Sequence, residues 1–235
     1  MNPGKLYLIP APISGNNLKN TLTAGDIDIV SKLKYFIVET PKVARSYLAS
    51  IDLQASIQQI DMKVFDEHSN VEDIQELIQP LLAGRDTGLM TDAGTPCIAD
   101  PGEEIVLMCY KLGVEVIPMI GPSSIFLTLM ASGLNAENFA FNGYLAKNSY
   151  SRQKELKELS KKVLDSGQTQ IFIETPYRNQ SIFEDILTLQ ENINLCLGIE
   201  IGSKDQKIAT MPISEWKKEK ISLEKVPIIY IIGKG

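Results

Sequence analysis

Thr87-Gly88-Leu89-Met90-Thr91 runs directly into Asp92-Ala93-Gly94-Thr95-Pro96-Cys97-Ile98-Ala99-Asp100-Pro101-Gly102, and a helical pattern over 103–112 follows. The first five residues read as a buried strand. Strand, Gly/Pro-rich loop and helix in that order form a unit whose loop lies at the carboxyl end of a parallel strand, where open α/β sheets bind ligands. Gly94 and Gly102 permit backbone conformations and close approaches that a Cβ would block. Pro96 and Pro101 stiffen the loop. Two carboxylates and two glycines between Thr91 and Gly102 exceed what a turn needs. The plainer alternative is an ordinary turn that caps a helix at Gly102.

The same grammar extends in both directions. Leu6–Ile9, Tyr35–Val38 and Val114–Ile117 are further apolar strand candidates, with helical patterns near 42–51, 71–83 and 103–112 between strands. Near-continuous apolar strands alternating with helices predict a mostly parallel sheet covered on both faces. After Gly121-Pro122 the pattern changes. A helix over 123–132 is predicted to lead into a strand at 138–144, a charged helix at 149–165, a strand at 170–174 and a helix near 179–190. Three closely spaced strands near 194–200, 206–212 and 227–232 predict antiparallel pairing. The reading is two α/β domains, 1–119 and 120–235, with a boundary near 118–122; the first has a mostly parallel sheet and the second a mixed one.

Composition narrows the function classes. The chain has 235 residues, 44% hydrophobic and 22% charged, which suits packed domains rather than disorder. No apolar run reaches the ~18–20 residues of a membrane span, and Met1–Lys5 lacks a signal-peptide core, so a cytoplasmic location without membrane association is expected. Cys97, Cys109 and Cys196 show no Cys-x-x-Cys spacing, and His68 is the one histidine. Neither a disulfide framework nor a metal site is signalled. No Gly-x-Ser-x-Gly elbow accompanies His68, so a serine triad is not signalled. A net charge of −6 argues against a generally basic nucleic-acid binder.

Other loops carry candidate chemistry. Met119-Ile120-Gly121-Pro122-Ser123-Ser124 follows a strand and opens a helix; its serines either cap that helix or present hydroxyls and N–H groups to a ligand. The loop after the first strand, Ile9-Pro10-Ala11-Pro12-Ile13-Ser14-Gly15-Asn16-Asn17, fits neither a dinucleotide fingerprint nor a phosphate loop. Val38-Glu39-Thr40-Pro41 and Ile173-Glu174-Thr175-Pro176-Tyr177-Arg178 each place a carboxylate at a strand end. Each is either a helix N-terminal charge or a candidate for binding or proton transfer. Lys147, Arg152, Lys154, Lys157, Lys161 and Lys162 form a basic stretch. It reads as a solvated helix face with partners at Glu155 and Glu158, and as the best local place for a phosphate backbone.

Thr91–Gly102 resembles the signature of the bacterial small-subunit rRNA ribose-2′-O-methyltransferase I family, part of the tetrapyrrole methylase superfamily. Gly121-Pro122-Ser123-Ser124 resembles its second cofactor motif. Ala131-Ser132-Gly133-Leu134, Phe139–Lys147 with Arg152, Ile173–Arg178 and Glu67-His68-Ser69-Asn70 follow in family order. The resemblance implies a two-domain tetrapyrrole methylase fold, a homodimer, and S-adenosylmethionine held in an interdomain cleft. It implies cofactor contacts from Pro12, Asp92, Ala93, Gly94, Thr95, Pro96, Ile98, Ser123, Ser124, Phe172 and Ile173. His68, Lys147, Arg152 and Arg178 become substrate-side candidates, and Glu39 and Glu174 candidates to assist the acceptor. The expected reaction is 2′-O-methylation of a ribose in 16S rRNA of the small ribosomal subunit. Methylation of a tetrapyrrole or other small molecule, and a cofactor-binding homologue without catalysis, are the alternatives. The chain departs from the family where Glu39-Thr40-Pro41-Lys42 replaces Glu-Asp-Thr-Arg, and in the first loop.

Overall fold

A computed structural model describes residues 2–66, 69, 71–190, 192–223 and 225–234. The chain forms two compact units, residues 1–123 and 124–235.

In the first unit β1 (Leu6–Leu8), β2 (Tyr35–Val38), β3 (Asp61–Val64), β4 (Thr87–Met90) and β5 (Val116–Pro118) form one sheet in the order β3-β2-β4-β1-β5, parallel throughout. The helices are α1 (Ala24–Lys32), α2 (Pro41–Leu48), α3 (Val71–Leu77), α4 (Gln79–Leu82) and α5 (Glu103–Lys111). Side chains alternate across each strand. Tyr7, Ile9, Phe36, Val38 and Met90 pack with Val30 of α1 and Ala44, Tyr47 and Leu48 of α2. Leu6, Ile37 and Leu89 pack on the opposite side with Ile74, Leu77 and Leu81 of α3 and α4 and with Ile105 and Cys109 of α5. With both faces covered, continuous apolar strands are what the sheet requires.

Three elements depart from expectation. The predicted helix over 71–83 is two helices, with Pro80 in the first turn of the second, where a missing N–H costs least. Helix α1 and strand β3 are additional to the elements that the sequence pattern predicts. β3 is an edge strand of mostly exposed residues, so its sequence lacks an apolar run.

The second unit begins with α6 (Ser124–Ser132) and continues through β6 (Phe139–Tyr144), α7 (Ser149–Ser166), β7 (Thr169–Glu174), α8 (Asn179–Ile186), β8 (Ile193–Ile199), β9 (Lys207–Pro212), α9 (Ile213–Trp216) and β10 (Ile228–Lys234). Its sheet runs β6-β7-β10-β8-β9. β6 and β7 are parallel, and the remaining pairs are antiparallel, as the close strand spacing predicts. Leu156, Val163, Ile182, Phe183 and Trp216 of α7, α8 and α9 cover one face. Ile125 and Leu129 of α6 cover the other, against Ile171, Cys196 and Ile231. A Cβ on Gly198 would lie 2.4 Å from Thr128 Oγ1, so this close approach of α6 to β8 requires glycine.

Arg152, expected to face a substrate, lies inside this unit with its side chain 3% exposed. Its Nε donates to Asp185 Oδ2 at 2.7 Å, Nη2 to Ser181 Oγ at 2.8 Å, and Nη1 to the Lys147 carbonyl at 3.2 Å. The guanidinium therefore ties α7 to α8 and to the segment after β6. Removing one partner of a buried pair leaves the other charge uncompensated, so Arg152→Ala is expected to cost about 3–5 kcal/mol. Urea unfolding checks this; a loss below about 1 kcal/mol would remove Arg152 from that role.

Candidate functional site

In the first unit, β1 and β4 are neighbours whose onward connections leave on opposite faces, α1 on one and α5 on the other. Such a switch point leaves a crevice outside the carboxyl ends of the strands. The loops from both strands meet there. Ala11 N donates to Gly94 O at 2.8 Å and Gly94 N to Ala11 O at 3.2 Å. Gly94 holds φ +73°, a region glycine enters at little cost. Cys97 and Ala99 are also left-handed, at φ 66° and 61°, a costly arrangement for residues with side chains that the surrounding loop must hold. Among the described residues, the N–H groups of Ala93 and Thr95 have no partner within the chain. The third loop closes against the first: a Cβ on Gly121 would fall 2.2 Å from Pro10 Cβ. Thr95 Oγ1 lies 3.4 Å from the Pro122 carbonyl. A cavity of about 320 Å³ opens beneath these loops, lined by Leu8, Pro10, Thr95, Pro96, Cys97, Ile98, Pro118 and Met119, with Glu103 and Val106 of α5. Pro12 is buried, Ile98 is half exposed, and Ser123 and Ser124 end the third loop. Burial pushes the Cys97 thiol up to about 11, which leaves it protonated and a poor nucleophile.

The sequence candidates in the second unit fare differently. The Glu174 side chain is fully enclosed, with Oε1 accepting the Thr175 N–H at 2.6 Å and Oε2 lying 2.7 Å from Arg178 Nη2. That guanidinium approaches off the hydrogen-bond direction, and Oε2 has no other donor among the described residues. An acceptor cannot reach this carboxylate, so its expected role beside the acceptor is corrected to holding the 174–178 turn. Phe172 has its ring buried and stacked 5.5 Å from Tyr230, so the ring itself offers no face to a ligand. Ile173 points to the opposite face and is partly buried. Arg178 keeps some exposure while donating to the Ala146 carbonyl at 3.0 Å, and Lys147 is exposed. His68 lies outside the described residues.

Asp92 is held at every polar group. Its Oδ1 accepts the Thr40 N–H at 3.1 Å and its Oδ2 the Thr40 hydroxyl at 2.7 Å. Its N–H donates to Glu39 Oε2 at 3.1 Å, and its carbonyl accepts the Tyr47 hydroxyl at 2.6 Å. Burial, then Asp92, raise the Tyr47 pKa and keep that donor protonated. Asp92 and Glu39 therefore fix the start of the loop. Thr40 and Tyr47, which carry this clamp, were not singled out from the sequence. The available signal was Thr40 at the end of a buried strand, with Tyr47 two turns into the next helix. Asp100 completes a carboxylate group here. Burial first, then Glu39 and Asp92, push its pKa up to about 6, against an opposing Thr91 hydrogen bond. The folded chain thus keeps a proton that the unfolded chain releases near its ordinary pKa of 3.8. Stability falls as pH rises between these values, and the whole cost is present above about 6. Asp100→Asn is expected to raise the urea midpoint at pH 8, with the gain fading toward pH 4. An equal gain at both pH values would contradict the buried-charge account.

The profile of the Tetrapyrrole (Corrin/Porphyrin) Methylases matches residues 5–217. The ribosomal RNA small subunit methyltransferase I of Vibrio cholerae serotype O1 is 30% identical over 231 residues, covering 97% of this chain and 76% of that protein. The protein of the same name from Halalkalibacterium halodurans is 31% identical over 219 residues, covering 92% and 72%. Among solved structures, the methyltransferase CobJ aligns with a TM-score of 0.66 at 11% identity, covering 99% of this chain and 95% of that one. Uroporphyrin-III C-methyl transferase from Thermus thermophilus, complexed with S-adenyl homocysteine, aligns with a TM-score of 0.61 at 18% identity, covering 98% and 97%. A parallel sheet whose loops meet at one switch point, a following mixed sheet and a profile match over nearly the whole chain agree: the chain belongs to the tetrapyrrole (corrin/porphyrin) methylases.

Proposed function

We propose that the chain is an S-adenosylmethionine-dependent methyltransferase that modifies a ribose 2′-hydroxyl of small-subunit ribosomal RNA. The observation that carries the cofactor reading is the Ala11–Gly94 main-chain pair at the switch point, with Ala93 and Thr95 amides beside it. The residues fit the group. Unpaired amides suit the polar ends of an adenosyl amino acid, and the cavity wall of Leu8, Pro10, Pro96 and Met119 suits its apolar parts. Pro12, Ala93, Gly94, Thr95, Pro96, Ile98, Ser123 and Ser124 are the residues assigned to hold it. Asp92 acts one step back, by fixing the loop. Bound S-adenosylmethionine supplies an electrophilic methyl group on a sulfonium. The chain's own task is then to align an acceptor, and positioning supplies much of the acceleration in such a displacement. The Thr40–Asp92–Tyr47 clamp and the Gly94 pairing remove loop motions that would spoil that alignment. Lys147 and Arg178 are assigned to phosphate contacts.

The relatives named for ribosomal RNA small subunit methylation support the acceptor class. We also infer a cytoplasmic homodimer. Among the described residues no helix is long and apolar enough to cross a membrane, and Leu107 and Tyr110 stand exposed on α5. The experiment is calorimetry with S-adenosylmethionine, followed by labelled methyl transfer to unmethylated 30S subunits and, in parallel, to porphyrin precursors. Binding and label in ribosomal RNA are expected. Gly121→Ala, which drives a Cβ into Pro10, is expected to weaken cofactor binding about tenfold or more. Absence of binding at millimolar cofactor would remove the methyltransferase reading, and label confined to porphyrin would replace the RNA acceptor.

A further inference from the structure

β6 and β7 are parallel neighbours, so their carboxyl ends lie together at one end of the second unit. Three large aromatic rings emerge there. Tyr144 ends β6 and is 55% exposed; Tyr150, in the first turn of α7, is 81% exposed; Tyr177, in the turn after β7, is 86% exposed. Single exposed aromatics are ordinary. Three on one strand end and the two turns beside it are not, and they stand on a braced frame. Arg178 donates to the carbonyls of Leu145 and Ala146, and Arg152 joins the Lys147 carbonyl to Ser181 and Asp185 at the start and end of α8.

A line of positive charge leaves from the same place. Tyr150, Lys154, Lys157 and Lys161 recur every three or four residues and so share a face of α7. All four are exposed. Among the described residues none of the three lysines, nor exposed Lys147, lies within ion-pair distance of a carboxylate. Tyr150 to Lys161 spans about 16 Å of helix.

We propose that Tyr144, Tyr150 and Tyr177 form a stacking platform for unpaired bases of single-stranded RNA, whose backbone continues along the lysine face of α7. Aromatic faces take splayed bases whatever their sequence, and ammonium groups take the phosphates. A paired helix keeps its bases stacked and offers no face to the rings. A flat macrocycle would meet the rings but not a row of cations leading away from them. This deepens the ribosomal RNA reading given above and rests on it.

The test uses the full chain with S-adenosylhomocysteine and a short fluorescent oligoribonucleotide, single-stranded or annealed to its complement. Anisotropy is expected to show that Tyr150→Ala/Tyr177→Ala weakens single-strand binding about tenfold or more, while Tyr150→Phe/Tyr177→Phe binds like the wild type. Neither pair should change duplex binding or calorimetric cofactor affinity, since the rings lie outside the cofactor loops. Alanine variants that bind the single strand as well as wild type would overturn the platform, as would phenylalanine variants as weak as the alanine ones. Methyl transfer to 30S subunits, run alongside, separates the two ideas. Label in RNA with unaffected alanine variants removes the platform and leaves the ribosomal RNA reading. Wild-type protein that binds no oligonucleotide and labels only a porphyrin precursor removes both.

Discussion

The main chains of Ala11 and Gly94 exchange two hydrogen bonds across the gap where β1 and β4 send their loops to opposite faces of the sheet. A parallel sheet needs crossover helices, and helices on both faces force adjacent strands somewhere to diverge. The crevice is therefore a consequence of the strand order. What this chain adds is a way to hold the crevice's walls. The Ala11–Gly94 pair joins the first two loops, the absent side chain of Gly121 lets the third press against Pro10, and Thr40 with Tyr47 pins Asp92 from a fourth strand end. Each is a short-range contact of groups already fixed by the sheet, so the ordering entropy of the site is largely met when the fold forms.

The clamp also concentrates negative charge. Glu39, Asp92 and Asp100 lie close together at this end of the sheet; Glu39 and Asp92 accept main-chain N–H groups, while Asp100, despite a Thr91 hydrogen bond, holds its proton more tightly. The second unit has the reverse character along α7, where exposed lysines outnumber exposed carboxylates. A net charge of −6 over the whole chain thus conceals a local basic face on α7, so the total says little about partners.

Much of this was legible in the sequence, for definite reasons. Strands buried on both faces leave apolar runs, so β1, β2, β4 and β5 could be read directly, and the short spacing of the last three strands announced their antiparallel pairing. Edge strand β3 buries little and left no such run. The loop at 91–102 was legible because glycine, proline and aspartate together are uncommon outside special backbone. What each residue does there was not, because it depends on partners distant in sequence: Asp92 meets Thr40 across 52 positions. The same limit misled the reading of Arg152 and Glu174. A charged residue reads as exposed unless its buried partner is known, and Asp185 lies 33 positions from Arg152.

Amide hydrogen exchange with and without S-adenosylhomocysteine probes the cradle directly, because it reads the N–H groups on which the account depends. The ligand should slow exchange at Ala93 and Thr95 and in the segment 121–124, while the already paired amides of Ala11 and Gly94 stay slow throughout. Ligand-induced protection confined to other parts of the chain, with Ala93 and Thr95 unchanged, would contradict the claim that the switch-point loops hold the cofactor.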